Sequence, residues 1–168
     1  MSTQVDESQA ALTNVSGKYL TFQLSEVEYG LEIHKVREII GMMKITPLPK
    51  LPHYVKGVLN LRGKVIPVID LRLCFGLSGI EQTERTCIIV IEIQADDDKM
   101  QIGLVVDAVS EVLNVNSEDV EEAPKINMSV NTEYILGMAK TQGKVRTLLD
   151  INKVLATDEI RMAARKVA

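Results

Sequence analysis

The segment VKGVLNLRGKVIPVIDL (Val55–Leu71) returns 80 residues later as ILGMAKTQGKVRTLLDI (Ile135–Ile151). Over the slightly wider windows Tyr54–Phe75 and Tyr134–Leu155, six of the 22 aligned positions are identical, against about one or two expected from ordinary composition. The identical residues of the first window are Tyr54, Gly57, Gly63, Lys64, Val65 and Asp70. The chain is therefore predicted to contain two copies of one structural unit.

A second, shorter match precedes each of these segments. At an offset of 73, the residues Gly30, Leu31, Val36 and Glu38 recur as Gly103, Leu104, Val109 and Glu111. Together the two matches predict that each copy contains two early strands, a turn of helix, an extended connector and a hairpin ending in Asp. Two such copies are expected to form two similar small barrels that meet along one seam.

Two β-hairpins are predicted from runs of apolar and β-branched residues. The first joins Gly57–Arg62 to Lys64–Leu71 through a single glycine, which permits a turn with positive φ. The second joins Thr86–Ile93 to Met100–Val106 through a charged turn. Because proline cannot donate a ladder hydrogen bond, Pro67 is expected to confine its strand to an edge or a bulge.

Short helical segments are predicted outside these hairpins. In His34–Met43 the apolar residues fall at three- and four-residue steps, which is typical of an amphipathic helix. Ser117–Val120 is expected to form one helical turn. Residues 156–168 are expected to form a C-terminal helix with an apolar stripe and basic residues near its end. Residues 1–16 are polar and are predicted to be a flexible N-terminus, which leaves residues 17–155 as the folded unit.

Composition limits the class of protein. The 168 residues are 46% hydrophobic and 25% charged, which is ordinary for a globular chain. A formal net charge of −4 and the absence of Trp argue against nucleic acid as a partner. No apolar run approaches the roughly 18 residues of a membrane-spanning helix, so a cytoplasmic protein without direct membrane insertion is expected. Cys74 and Cys87 lie in apolar strings and are interpreted as small core residues, with a disulfide as the alternative.

No residue pattern predicts catalysis, a metal site or a cofactor. His34 and His53 lack the neighbouring ligands of a zinc motif. The segment from Gly57 to Lys64 superficially resembles a phosphate-binding loop, but it has five residues between its glycines instead of four, and Val in place of the magnesium-binding Ser or Thr. Its glycines are expected to allow close backbone approach and a turn. Asp70 and its counterpart in the second copy are expected to accept backbone N–H bonds after each strand.

The two copies differ clearly at the turn of their late hairpin, where Asn60-Leu61-Arg62 aligns with Lys140-Thr141-Gln142. Related copies share a core but can diverge where one of them binds a partner. The guanidinium of Arg62 is suited to paired hydrogen bonds with a carboxylate, and the alternative is an ordinary solvated turn arginine. Glu38 is predicted to lie near Arg62 on one rim. Because an exposed pair of this kind contributes little to stability, its expected role is to orient a partner.

Several segments are similar to one protein family. They are YGLEI (Tyr29–Ile33), VREI (Val36–Ile39), VKGVLNLRGKVIPVIDL (Val55–Leu71), GLVVD (Gly103–Asp107) and YILG (Tyr134–Gly137). Together they resemble the CheW family of bacterial chemotaxis coupling proteins, over roughly residues 18 to 155. The long hairpin string is the most specific of them.

The resemblance implies a mainly β fold of two five-stranded, SH3-like barrels with short helices, in which strands can be exchanged between the barrels. It also implies a non-enzymatic adaptor without cofactors. Such an adaptor couples the cytoplasmic hairpin tips of transmembrane chemoreceptors to the regulatory domain of the histidine kinase CheA, and it supports receptor array assembly and kinase control. Its recruitment to the inner face of the membrane would be indirect, through the receptors.

The resemblance further implies a receptor-binding groove. Its residues are Ile33, Val36, Glu38, Gly57, Asn60, Arg62 and Gly63. Apolar residues of the receptor tip would be buried on Ile33 and Val36, while polar groups at the rim set the register. The kinase-binding surfaces are expected on the barrel ends. From the residues alone two other classes stay open, a small-ligand-binding β-barrel protein and an enzyme with a dispersed site.

Overall fold

The computed structural model describes residues 15–95, 98–122 and 132–155. The first repeat forms β1 (Gly17–Leu24), β2 (Val27–Glu32), β3 (Val36–Gly41), β4 (Val55–Leu61), β5 (Lys64–Asp70) and helix α1 (Leu71–Cys74). The second repeat forms β6 (Cys87–Ala95), β7 (Asp98–Val106), β8 (Ala108–Val115), β9 (Val120–Glu121), β10 (Ile135–Thr141), β11 (Lys144–Leu149) and helix α2 (Ile151–Val154). Short 3₁₀ turns cover Ile33–Lys35, Ser117–Asp119 and Thr132–Tyr134. Both predicted hairpins and the helical turn at Ser117 are confirmed.

The strands form two sheets that each draw on both repeats. The six-stranded sheet, barrel 1, has the order β8-β1-β2-β11-β10-β9, and the five-stranded sheet, barrel 2, has the order β3-β6-β7-β5-β4. Each barrel therefore combines the early hairpin of one repeat with the late strands of the other. The mainly β architecture of two small barrels is as predicted.

The contacts between repeats are equivalent in the two barrels. Barrel 1 pairs Leu148 with Gly30 and Leu149 with Leu31, and barrel 2 pairs Val68 with Gly103 and Ile69 with Leu104, in parallel ladders. These pairs correspond to each other under the repeat offsets. The sixth strand of barrel 1 is also a repeat feature, because the β9 pairing of Glu121 with Met138 matches the single bridge between Thr46 and Val58 in barrel 2.

A one-residue connection explains why the strands are exchanged. Asp107 alone separates β7 from β8. The end of β7, Val106, lies opposite Cys87, whereas β8 begins opposite Gln23 of β1. If β8 paired with β6 of its own repeat as it now pairs with β1, it would have to begin beside Glu92. Glu92 is five residues along β6 from Cys87, where β7 ends, and this separation is about 17 Å. One residue spans only about 3.5 Å, so β8 must enter the other barrel.

The largest hydrophobic core is shared by the two barrels. It contains fully buried residues of both sheets and both helices, among them Phe22, Leu31, Leu71, Ile89, Leu104, Leu149 and Ile151. Smaller cores fill barrel 1, around Tyr19 and Leu148, and barrel 2, around Ile66 and Val90. Strand β6 faces two cores, because Ile89 and Ile91 point to the shared core while Ile88 and Val90 point into barrel 2.

The helix predicted over His34–Met43 is wrong. Only Ile33–Lys35 form a 3₁₀ turn, and Val36–Gly41 form strand β3, which pairs with β6. The burial of β3 alternates with a period of two, so Glu38 is half-buried on the same face of the strand as Val36 and Ile40. The β-branched residues of this segment favour a strand, and pairing with β6 outweighs the weak helical spacing.

The expectation that Pro67 marks an edge or a bulge is also wrong, since β5 lies inside its sheet between β7 and β4. Pro67 lies opposite Val58, whose N–H and C=O groups bond Thr46 on the other side. The parallel ladder with β7 begins only at Val68. No neighbouring strand therefore needs an N–H group from Pro67, and the proline costs no ladder hydrogen bond.

Cys74 and Cys87 are free thiols that pack, partly buried, against the shared core, as predicted. Val15 is buried in barrel 1, where its C=O accepts a 2.6 Å hydrogen bond from the Tyr19 hydroxyl. Val15 belongs to the segment predicted to be a flexible N-terminus, so the end of that segment is instead packed in barrel 1. Residues 1–14 and the predicted C-terminal helix, residues 156–168, lie outside the described residues.

We expect Gly57→Ala to destabilise the protein by about 2 kcal/mol or more. Gly57 has φ of 138°, and a Cβ atom there would lie 2.1 Å from the backbone oxygen of Thr46. The control is Gly143→Ala, where φ is 73° but no atom lies within 4 Å of the new Cβ, so only the backbone penalty of about 1 kcal/mol applies. Urea unfolding measures both, and equal losses would contradict the close approach at Gly57.

Candidate functional site

The predicted pair of charges lies at the end of barrel 2. Arg62, in the turn between β4 and β5, donates from Nη2 to Glu38 Oε2 on β3 at 2.5 Å. The guanidinium is 72% exposed and the carboxylate 29% exposed. The hydrogen bond from Arg62 to Glu38 raises the pKa of the guanidinium above its ordinary value, and the charge of Glu38 adds to this. The pair joins the two edge strands of the sheet at one rim, as predicted.

The backbone of the turn presents Arg62 to solvent. Arg62 and Gly63 have φ of 51° and 87°, which is typical of a two-residue hairpin turn whose twist matches its strands. A left-handed conformation is unfavourable for arginine. Asn60 stabilises it, because its Oδ1 accepts a 2.8 Å hydrogen bond from the Gly63 N–H. Asn60 and Gly63 therefore hold the shape of the turn that carries the charge.

Gly57, on β4, is the point at which this strand packs closely against the connector that follows β3. Its backbone lies against Thr46 and Pro47 in the connector that follows β3, at a distance that leaves no room for a side chain. The expected close backbone approach is therefore present. Next to this contact, Thr46 and Val58 exchange backbone hydrogen bonds, so the connector pairs with β4.

Two half-buried apolar residues lie where the barrels meet. Ile33, in the 3₁₀ turn, and Val36, at the start of β3, both pack against the shared core while leaving part of their surface exposed. Glu38, two residues after Val36, connects this apolar part to the charged rim. Of the seven predicted groove residues, the structure brings four together at the rim, Glu38, Asn60, Arg62 and Gly63. Gly57 supports them, and Ile33 and Val36 lie at the junction.

The corresponding end of barrel 1 has a different chemistry. Glu111 corresponds to Glu38, but its cation is Arg146, which occupies the position of Ile66 and is 2% exposed. Arg146 donates from Nε to Glu28 at 2.7 Å, from Nη1 to the Thr141 hydroxyl at 2.7 Å and from Nη2 to Glu111 at 3.5 Å. This cation is internal, whereas Arg62 is available to a partner.

The sequence interpretation missed Arg146. The signal for it was present, since a charged residue aligns with the apolar Ile66 in the middle of the strand. By contrast, the predicted role of the strand-terminal aspartates is confirmed. Asp70 accepts hydrogen bonds from the N–H groups of Arg72 and Leu73, and Asp150 accepts one from Lys153. Both carboxylates cap short helices.

Comparisons with known proteins agree with this architecture. Residues 18–159 match the family model of the CheW-like domain. The chain belongs to the CheW family. It is 36% identical to the chemotaxis protein CheW of Klebsiella aerogenes over 155 residues, which cover 92% of this chain and 91% of that protein. It is 34% identical to the chemotaxis protein CheW of Rhizobium meliloti over 88% of this chain and 93% of that protein.

A solved member of the CheW family has the same fold. The crystal structure of the scaffolding protein TtCheW from Thermoanaerobacter tengcongensis superimposes with a TM-score of 0.76 at 33% identity, covering 86% of this chain and 95% of that one. The curated relatives are named chemotaxis protein CheW and the solved relative is named a scaffolding protein, and together these names support a chemotaxis adaptor role for this chain. In the described part of the chain, no helix has the length and apolar character needed to cross a membrane.

We expect the two arginines to differ sharply in their effect on stability. Arg146→Ala leaves Glu28 without its buried partner and should destabilise the protein by about 3 kcal/mol or more. Arg62→Ala should leave the melting temperature nearly unchanged, because the Arg62–Glu38 pair is solvated. Thermal unfolding followed by circular dichroism compares them, each variant serving as the control for the other. A large loss of stability in Arg62→Ala would show that the rim pair holds the barrel together.

The Cys74 thiol should react slowly. Burial, and then the nearby charge of Asp70, raises the pKa of Cys74 from 9.0 to about 11. At pH 8 this lowers its thiolate fraction roughly a hundredfold. In Cys87→Ser, iodoacetamide should label native Cys74 about a hundredfold more slowly than the same thiol in urea. Because the folded state holds this proton more tightly, stability should fall as the pH rises from about 9 to about 11. Equal labelling rates would contradict the burial.

Proposed function

We propose that this protein is a non-enzymatic chemotaxis adaptor that couples the cytoplasmic tips of transmembrane chemoreceptors to the histidine kinase CheA. It acts in the cytoplasm and is recruited to the inner face of the membrane through the receptors. Membership in the CheW family supports the general role. The observation that carries the proposal is the exposed Glu38–Arg62 pair at the rim of barrel 2, which barrel 1 replaces with the internal Arg146.

The receptor-binding groove runs from the junction of the barrels to this rim. A helical hairpin buries apolar side chains on Ile33 and Val36, which are half-buried in the free protein and lose their remaining contact with water on binding. Arg62 then meets a carboxylate or backbone carbonyl of the receptor. Its hydrogen bond to Glu38 holds the guanidinium in place before binding, so less side-chain entropy is lost. Asn60, Gly57 and Gly63 act indirectly, by shaping the turn.

The kinase-binding surfaces are proposed on the barrel ends. Exposed aliphatic residues occur at corresponding positions of the two barrels, Ile39 and Val65 in barrel 2 and Val112 and Val145 in barrel 1. Exposed aliphatic side chains are costly in water and are typical of interaction surfaces when they cluster. A kinase regulatory domain built from the same pair of barrels presents matching ends, which suits contacts between barrels.

The experiment is a quantitative pull-down with two immobilised partners, a chemoreceptor tip fragment and the regulatory domain of CheA. Wild type should bind both. Arg62→Ala and Glu38→Ala should weaken receptor binding about tenfold, or about 1.4 kcal/mol, with kinase binding and the melting temperature nearly unchanged. The matched control is Gln142→Ala, which truncates the residue corresponding to Arg62 in barrel 1 and should leave receptor binding at the wild-type level.

Three outcomes would contradict the proposal at different levels. Wild-type protein that retains neither partner excludes the coupling role. Equal weakening by Arg62→Ala and Gln142→Ala excludes the rim of barrel 2 as the specific receptor contact. A receptor affinity that is unchanged in both Arg62→Ala and Glu38→Ala removes the rim pair from the interface.

A further inference from the structure

The chain passes directly from one barrel to the other at two corresponding places. The first crossover is the 3₁₀ turn Ile33–Lys35, between β2 of barrel 1 and β3 of barrel 2. The second is Asp107, between β7 of barrel 2 and β8 of barrel 1. Under the repeat offset of 73, Asp107 corresponds to His34. The two crossovers lie at equivalent positions and can be compared residue by residue.

The crossover at Asp107 is tied to both barrels. Its carboxylate Oδ2 accepts a 2.7 Å hydrogen bond from the N–H of Ser25, in the β1–β2 turn of barrel 1. The same atom accepts a 2.7 Å hydrogen bond from Nη1 of Arg72, on helix α1 next to barrel 2. Arg72 also donates from Nε to the C=O of Ser78, and the Asp107 N–H donates to the C=O of Gln23. The Arg72 and Asp107 side chains are only 12% and 18% exposed.

Among the described residues, the crossover at His34 lacks a corresponding polar cluster that joins both barrels. Arg72 corresponds to Asn152 under the repeat offset of 80, and in the described residues no hydrogen bond joins His34 to Asn152. The His34 side chain is 69% exposed and has Glu32, two residues away, as its charged neighbour at 3.8 Å. Lys35 also pairs with Glu32, at 3.3 Å. Both ion pairs join the crossover to Glu32, at the end of the strand that precedes it. Neither pair involves β8, β9, β10 or β11, the strands that the second repeat contributes to barrel 1.

We propose that the Arg72–Asp107–Ser25 cluster fixes the angle between the two barrels, and that the Ile33–Lys35 crossover is the side at which this angle can change. Charge-assisted hydrogen bonds are directional and about twice as strong as neutral ones. The shared hydrophobic core attracts the barrels but is less directional, so a polar cluster that touches both barrels sets their orientation. Arg72 and Asp107 are positioning residues and are not part of the proposed groove.

The decisive measurement is the relative orientation of the barrels from residual dipolar couplings in solution. In wild type, one alignment tensor should fit the amides of β1, β2 and β11 together with those of β4, β5 and β7. In Arg72→Met, which keeps the bulk of the side chain, the two barrels should require different tensors. The matched control, Asn152→Ala at the corresponding position, should behave as wild type. Asp107→Asn, which keeps the shape and removes the charge, should give a smaller change of the same kind.

Hydrogen exchange gives a second readout of the same cluster. The Ser25 amide should exchange on the order of tenfold faster in Arg72→Met than in wild type, because its acceptor is no longer held in place. A single tensor that fits both barrels in Arg72→Met overturns the proposal, whatever the exchange rate of Ser25. A changed angle in Asn152→Ala as large as that in Arg72→Met overturns it as well.

The consequence for the receptor rests on the proposed function. Ile33 belongs to the Ile33–Lys35 crossover and Val36 follows it directly. A change of the barrel angle in Arg72→Met should therefore weaken binding of the receptor tip severalfold, although Arg72 does not contact the receptor. This arm is separate from the dipolar couplings, which need no partner. Failure of wild type to bind a receptor therefore counts against the proposed function, while an unchanged barrel angle counts against the positioning role.

Discussion

The single residue between β7 and β8 constrains the whole structure. Because Asp107 cannot carry the chain back along its own hairpin, each repeat must give strands to the other barrel. The exchange places β2 beside β11 and β7 beside β5. Apolar side chains from both pairs of strands are buried in the one shared core. The relation between the barrels is thus a property of chain connectivity as much as of side-chain packing. A partner that contacts the junction meets residues whose positions depend on both repeats.

Duplication with divergence explains why the two rims differ in chemistry. Both barrels keep a glutamate at the same place on the strand after the crossover. In barrel 1 its partner is Arg146 of β11, a buried residue at the position where the other repeat has the apolar Ile66. In barrel 2 the interior stays apolar, with Ile66, and the cation comes from the hairpin turn. The same carboxylate therefore pairs with a buried arginine in barrel 1 and with an exposed arginine in barrel 2.

Much of the fold could be predicted from the repeat, because glycine turns, strand-terminal aspartates and alternating apolar runs are local signals. The Glu38–Arg62 pair was predictable from the difference between the repeats. The helix predicted at His34–Met43 failed because strand pairing with β6, a contact distant in sequence, decided that segment. Pro67 was misjudged for the same reason. The backbone groups of Val58, opposite Pro67, bond Thr46 in the connector, and this contact cannot be seen in the local sequence. Arg146 was missed because its three partners come from three separate strands.

The exchanged strands also determine what a broken chain would do. A cut in the exposed segment between α1 and β6 would leave two pieces, each holding strands of both barrels. Neither piece contains a complete hydrophobic core, so the two pieces would have to fold around one another. The duplicated gene therefore encodes halves that are no longer independent, and evolution can now change one half only within the limits that the other imposes.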